Sequence, residues 1–366
     1  MQGFVTNRAG DTALILAIAV GFASAGLLEL DLLTLAGTES RGLVGYLILG
    51  GAAGKSAQLG LHAWLPSAIE APTPVSSLIH AATLVTAGVY LLIRAGGNFT
   101  PSGNNGPALV TGAVTLLLAG FVGVAQTDLK RTIAFSTCSQ VGYMVLGVGD
   151  GASGTSLFLL FTHALYKALL FMCAGIVIHS AGNNQDVRLL GATGILLPAS
   201  KQLFAAASLA LCALPFSAGD FSKDLLVEQA GYSYLTLHQT MWVSALVGTA
   251  LTGAYSARLL RLVYSGEPRT PVLTGSHEAS LLTLQVLTIL GLIAYSSGAL
   301  GLELFSSSLT GRRSDEVILS LNCEQGASVL PGILPLCSVA LGLVAGTSLS
   351  QGGTGRLPFT AYHQAR

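Results

Sequence analysis

An all-α bundle of about ten membrane-spanning helices is the fold class this chain predicts, and three features predict it. Over 366 residues the chain is 51% hydrophobic and only 9% charged, against about 25% charged for an ordinary soluble domain. Apolar runs of about 20 residues, long enough to cross a bilayer, recur with polar or Gly/Pro punctuation between them. The lysines and arginines that separate these runs fall mostly on one side when the runs alternate across a membrane.

The runs predict spans near 11–33, 42–62, 75–95, 106–125, 132–149, 154–179, 200–229, 238–263, 280–304 and 327–348. On that alternation Arg8, Lys130, Arg131, Arg188, Lys201, Arg258, Arg261 and Arg269 share a side, while the other side holds only Arg41 and Arg94 over the same stretch. The first side is therefore expected to face the matrix or cytoplasm, with the N-terminus on it. Met1 to Gly10 lacks the charged-then-apolar pattern of a removable signal peptide, so the first run is expected to remain in the mature chain.

Two spans are expected to be discontinuous. Gly50, Gly51 and Gly54 lie in the second, followed by Pro66, Pro72 and Pro74, and Leu214-Pro215-Phe216 with Gly219 interrupts the seventh. Non-helical backbone at membrane depth is tolerated only where it faces protein or a water-filled cavity, which makes broken helices pointers to an ion path. Residues 1–264 hold all of these features and are read as the translocation core; 265–366 add C-terminal spans and a Gly-rich tail in which no chemistry is read.

Composition excludes several functions. Net charge is zero with no basic run, a poor match to nucleic acid. The five cysteines, Cys138, Cys173, Cys212, Cys323 and Cys337, form no CxxC pair, so neither a disulfide framework nor a zinc or iron–sulfur site is expected. No GxGxxG fingerprint follows a strand.

The candidate chemistry lies in buried cations. Lys55, Lys167 and Lys223 sit well inside apolar runs, where a lysine at bilayer centre costs about 3 kcal/mol or more and is by default functional. Lysines near span ends can instead extend harmlessly to the interface. His163 and Lys167 are four residues apart on one helix face, and Lys55 and His62 are seven apart, also one face if the helix continues. His80 lies in the next span. Histidine titrates near neutral pH and passes protons without a large energy step, although a lone intramembrane histidine is as often a packing residue. Asp11 opens the first span, and Asp220, Asp224 and Glu228 surround Lys223. Ser136, Thr137, Ser139, Gln140 and Tyr143 form a polar set suited to holding water or to bonding between helices.

Several blocks together resemble the antiporter-like subunits of respiratory complex I: Gly50 to Pro66 (GGAAGKSAQLGLHAWLP) and Pro72 to Gly88 (PTPVSSLIHAATLVTAG). Gln126 to Arg131 (QTDLKR), Thr162 to Leu170 (THALYKALL) and Phe221 to Asp224 (FSKD) narrow the resemblance to subunit 5, the distal antiporter-like chain, over about residues 4–264. It implies an antiporter-like fold with two proton half-paths joined by a polar axis at mid-membrane. Lys55 would be the lysine of the first broken helix, His80 and His163 part of the axis, Lys167 its central lysine and Lys223 the lysine of the second broken helix. Asp11 matches the family's acidic residue after an Asn-Arg pair, here Asn7-Arg8, with Asp224 and His62 secondary.

The resemblance further implies a multi-pass place in the mitochondrial inner membrane among other membrane-arm subunits, subunit 4 especially, with flavin, iron–sulfur clusters and NADH oxidation on other chains and no cofactor here. Where this sequence starts, the family has already run several helices, including a glutamate that pairs with the first lysine. Lys55 is thus expected to lack a switch partner within the chain, and a separate N-terminal fragment is expected to supply it. The long amphipathic helix of the family has no candidate after residue 265, and Leu159 stands where the family often has another histidine. The competing resemblance is to the large subunit of multisubunit sodium/proton antiporters, in which the position of Thr86 is typically lysine; Thr86 favours complex I.

Overall fold

The computed structural model describes residues 2–26, 38–95, 106–232, 236–265, 278–309 and 330–351, all helices and short connections with no named β-strand among them. Ten helical runs correspond to the ten expected spans. They are α1 (Gln2–Ala25), α2 (Thr38–Lys55) continued by the short α3 (Trp64–Ser67), α4 (Thr73–Ala81) with α5 (Leu84–Arg94), α6 (Gly106–Ala125), α7 (Leu129–Gly149) and α8 (Ser153–Ser180). After the short α9 (Thr193–Leu196) come α10 (Pro198–Cys212) with α11 (Leu225–Gly231), α12 (Thr236–Tyr264), α13 (Leu281–Leu309) and α14 (Leu330–Gln351).

Among the described residues, five runs are long and apolar enough to cross a membrane by length and composition: Thr73–Arg94, Gly106–Ala125, Ser153–Ser180, Leu281–Leu302 and Pro331–Ser350. The helices α1, α7 and α12 have spanning length but carry Arg8 and Asp11, Lys130 and Arg131, or Arg258 and Arg261. Helix α7 shows why: it is buried along nearly all of its length between neighbouring helices, so protein rather than lipid is its solvent and hydropathy underrates it.

Lys130, Arg188 and Arg258, expected to share a side, make their contacts around the end of α6 and the start of α7. Arg258 Nη1 donates to the carbonyls of Val124 and Gln126 at the end of α6, at 2.8 and 2.6 Å. Lys130 Nζ donates to Ala71 O at 3.4 Å, and Arg188 pairs with Asp186 beside the start of α7, where Asp128 and Asp186 bridge. Arg41 begins α2 and Arg94 ends α5, at the opposite end. Arg269 lies outside the described residues.

Three expectations need correction. The first span begins nine residues earlier than expected, at Gln2, so Asp11 does not open a span but lies mid-helix. The helix extends through a polar N-terminal half that stays largely exposed and touches the rest of the fold at Gly3, against Trp64, and at Gly10, against Gly51 and Gly54. Second, the glycines of α2 do not break it. A Cβ on Gly10 would lie 3.1 Å from Gly51 O and one on Gly54 would lie 3.1 Å from the Gly10 Cα, so these glycines let α1 and α2 touch backbone to backbone. The break comes after Lys55, where Ala57 (φ 49°) and Gly60 (φ +89°) turn left-handed. His62 is therefore off the helix, not one face with Lys55. Third, the span at 75–95 is also discontinuous: Thr83 leaves helical geometry (φ −117°, ψ −85°) and its hydroxyl donates to Leu78 O at 3.0 Å. A threonine hydroxyl competing for main-chain carbonyls breaks the helix here with no Gly or Pro to announce it.

The break in the seventh span falls where it was expected. Helix α10 ends at Cys212, Ala213 (φ 61°) and Phe216 (φ 65°) are left-handed, and the chain resumes through one π turn, Asp220–Asp224, before α11. Gly219 is required there, since a Cβ would stand 1.9 Å from Ala210 O.

Candidate proton-relay site

Each of the three lysines sits at or opposite one of these discontinuities. Lys55 is the last residue of α2, and its ammonium lies 2.7 Å from Asp11 Oδ1 on α1. The expectation that Lys55 has no partner within the chain is thereby overturned. The α1–α2 glycine seam brings Asp11, which follows Gly10, alongside Lys55, a juxtaposition invisible while Asp11 was assigned to a span end. Arg8 lies 3.9 Å from the same carboxylate's other oxygen, far more exposed.

Lys167, in the middle of α8, is fully buried and donates to Ser136 Oγ on α7 at 2.6 Å. It is within electrostatic reach of His80, His163 and Lys223, and so stands centrally among the ionisable groups. His80 is buried just before the break between α4 and α5 and stacks on Phe171, ring centroids 5.1 Å apart. His163 is buried one turn before Lys167 and meets Tyr166 edge-on at 5.6 Å. No direct hydrogen bond joins His163 to Lys167; neither imidazole nitrogen of His80 or His163 finds a side-chain partner within bonding distance.

Lys223 lies in the π turn, fully buried, with its ammonium 5.1 Å from the Tyr143 ring centroid, a cation–π contact. A π turn inserts one residue into the helix and is frequent at functional positions. Asp224 is adjacent to Lys223 and attracts its charge, yet Lys223 Nζ and Asp224 Oδ1 make no hydrogen bond with protein. Asp220 turns back instead and accepts from the Phe216 N–H at 2.8 Å, while Glu228 accepts from the Tyr232 hydroxyl at 3.1 Å. His62 lines a small cleft with Leu59, Thr115, Phe135 and Cys138.

The polar set of α7 connects the two buried lysines. Ser136 holds Lys167, Tyr143 faces Lys223, and Gln140 lies between them, its amide without a hydrogen-bond partner at bonding distance. Tyr255 of α12, close to Thr252, Gln140 and Ser136, completes the connection. Buried polar groups left without protein partners are normally hydrated, so this row has the chemistry of a water-bearing path. Tyr255, Thr252 and the Thr83 break went unrecognised at the level of sequence; the 4, 3 spacing of Ser136, Gln140 and Tyr143 was a signal that they share a face. Among the described residues, no three His, Cys, Asp or Glu side chains converge as a metal site requires.

A family model described as NADH:quinone oxidoreductase/Mrp antiporter, transmembrane, matches residues 1–252. The chain belongs to this family. Among its relatives, NADH-quinone oxidoreductase subunit L of Pseudomonas aeruginosa is 39% identical over 354 residues, 93% of this chain and 57% of that protein. NADH-ubiquinone oxidoreductase chain 5 of Pongo abelii is 41% identical over 291 residues, 77% of this chain and 47% of that one. The chain thus spans about half the length of the curated relatives it matches. The Mrp complex of Dietzia sp. has the same fold, with a TM-score of 0.76 at 24% identity over 96% of this chain and 40% of that one. An archaeal membrane-bound sulfane sulfur reductase does too, with a TM-score of 0.73 at 23% identity over 81% of this chain and 52% of that one. This member is a multi-pass helical membrane protein of the subunit 5 type.

Proposed function

We propose that the chain carries protons across the membrane as part of a subunit 5-type membrane-arm subunit of NADH:ubiquinone oxidoreductase, driven by electron transfer on other subunits. The observation that carries this reading is the central position of fully buried Lys167, hydrogen-bonded to Ser136 and within electrostatic reach of both His80 and Lys223. Lys55 with Asp11 would serve as the switch of one half-path and Lys223 with Asp224 that of the other, joined through His80, His163 and the α7 polar row. Moving one proton against about 150–200 mV takes about 3.5–4.6 kcal/mol. A buried lysine whose ion pair is made and broken can supply a difference of that size.

On this reading residues 1–264 are the translocation core, and 265–366 provide flanking helices, α13 against α8 and α10 and α14 against α12. The relatives named chain 5 or subunit L support an NADH-oxidising complex over a stand-alone sodium/proton antiporter, as does the small Thr86 on α5. The chain would reside in the mitochondrial inner membrane with its N-terminus in the matrix, beside subunit 4, while flavin and iron–sulfur chemistry stays on other chains.

Purification through a tag on this chain in mild detergent, followed by mass spectrometry and an inhibitor-sensitive NADH:quinone assay, tests the reading. Co-purification of an active NADH-oxidising complex is expected. A small assembly without flavin or iron–sulfur subunits would overturn it in favour of the antiporter.

A further inference from the structure

The polar row on α7 does not stop at Lys223. Ser136, Gln140, Tyr143, Gly147 and Asp150 recur at spacings of 4, 3, 4 and 3, which keeps them on one helix face, and they cover about 21 Å of rise. Facing this stripe, α12 offers the Ala245 carbonyl, which accepts from the Tyr143 hydroxyl at 2.7 Å, and Tyr255 near Gln140. At the cation-poor end of the molecule the two helices meet a last time. Asp150, just past the end of α7, and His238, in the first turn of α12, are in hydrogen-bond contact through Oδ1 and Nδ1.

The pair is partly buried and not sealed: the side chains retain 9% and 14% of their exposure, against none for Lys167 and Lys223. Among the described residues, few other charges compete for it. In their described parts α6 and α14 bring no Asp, Glu, Lys, Arg or His to this end, and α8 brings the hydroxyls of Thr155 and Ser156. On α11, Glu228 is bonded to Tyr232, and Gln229 accepts from Thr155 at 2.9 Å. Burial raises the Asp150 carboxyl above the usual range while its hydrogen bond and charge contact with His238 lower it. An imidazole nitrogen and a carboxylate oxygen in hydrogen-bond contact hold one proton between them.

We infer that Asp150 and His238 form the proton-release station of the Lys223 half-path, at the outer mouth of the seam between α7 and α12. A proton arriving from Lys223 along the Tyr143 side of α7 adds to the imidazole–carboxylate pair, which holds it as imidazolium and carboxylate. Loss to outside water restores the neutral imidazole beside the carboxylate, so only N–H and O–H bonds are made and broken. The inference rests on the translocation reading above and adds to it where protons leave.

The test is proton pumping by the assembled complex in proteoliposomes, read as protons moved per NADH oxidised. Asp150→Asn, His238→Asn and the double variant are compared with wild type, and Lys223→Ala is the control. The double variant can still pair its two amides, so a purely structural clasp would survive in it. The expected result is a lowered ratio in both single variants and in the double, with Asp150→Glu close to wild type. A wild-type ratio in the single variants, or its recovery in the double, overturns the release station while leaving the translocation reading intact. A wild-type ratio for Lys223→Ala overturns the translocation reading itself. Should the neutral variants fail to assemble, Asp150→Glu decides through its dependence on outside pH: a shifted midpoint supports the station, and an unshifted one overturns it.

Discussion

Replacing Asp11 by asparagine removes one charge from the Lys55 pair and almost no volume. At the 2.7 Å separation of Nζ and Oδ1, the gross attraction is about 1.5 kcal/mol in a water-like dielectric and about 6 kcal/mol at an effective dielectric of 20. Both side chains keep roughly a quarter of their exposure, so desolvation and screening remove part of this, leaving about 1–3 kcal/mol, between an exposed and a buried pair. That range is about 5- to 150-fold in an equilibrium or a rate, and it is a part of the roughly 3.5–4.6 kcal/mol needed per proton against about 150–200 mV. The assay is the initial rate of proton uptake by proteoliposomes, with the complex quantified on native gels, for Asp11→Asn, Lys55→Met and both together. If the two residues form one switch, the double variant is no slower than the slower single variant, because the same element has been removed twice. Multiplying defects in the double variant, or an Asp11→Asn complex that pumps at the wild-type rate, would refute the pairing as functional.

Further expectations follow from other contacts. Gly219→Ala sets a methyl carbon 1.9 Å from Ala210 O; the re-entrant turn must shift, at a cost of about 3 kcal/mol or more, and native gels should show little assembled complex. Ser136→Ala deletes the hydrogen bond to the Lys167 ammonium, a loss of about 1.5–3 kcal/mol for a charged donor, and should slow pumping while Ser136→Thr retains it. Arg258→Ala strips two carbonyl caps from the end of α6 and should lower the thermal unfolding temperature of the purified subunit assembly more than Arg131→Ala, whose Asp128 contact is largely exposed. Arg188, hydrogen-bonded to Asp186, holds that carboxyl below the usual range. Its small stabilisation is complete above the unfolded carboxyl's value near 3.9 and is lost as pH falls through the lowered folded value. The melting difference between wild type and Asp186→Asn should therefore be constant from pH 7 to 5 and shrink below about pH 4.

How much of this was legible beforehand depended on what kind of signal each feature left. Spans surrounded by other helices still had apolar cores, so all ten runs were visible, and Leu214-Pro215-Phe216 with Gly219 marked the seventh break because proline and left-handed backbone leave a chemical trace. Lys167 stood out because a lysine amid Leu and Phe has few innocent explanations. The sequence places Asp11 at a span end because a hydropathy window weighs average polarity, whereas α1 runs on through a largely exposed polar half in which Gly10 packs closely on Gly51 and Gly54 of α2. The break at Thr83 left no trace, since it arises from one hydroxyl's choice of acceptor. The pair of Asp150 with His238 joins residues 88 apart that each look like ordinary charges at a span end; only their packing distinguishes them.

The π turn at Asp220–Asp224 has a consequence for phase. On a regular helix, Asp220, Asp224 and Glu228 would stack on one face as a ladder of three carboxylates beside Lys223, and their mutual repulsion would favour holding protons there. The inserted residue advances everything after it by about 100°, which takes Asp220 off that line to cap Phe216, while it stays within electrostatic reach of Asp224. One surplus residue thus breaks the ladder into a carboxylate that caps Phe216, one beside Lys223 and one bonded to Tyr232. Deleting a single residue from this turn would merge them again, rotating Lys223 away from Tyr143 without altering a single side chain's chemistry.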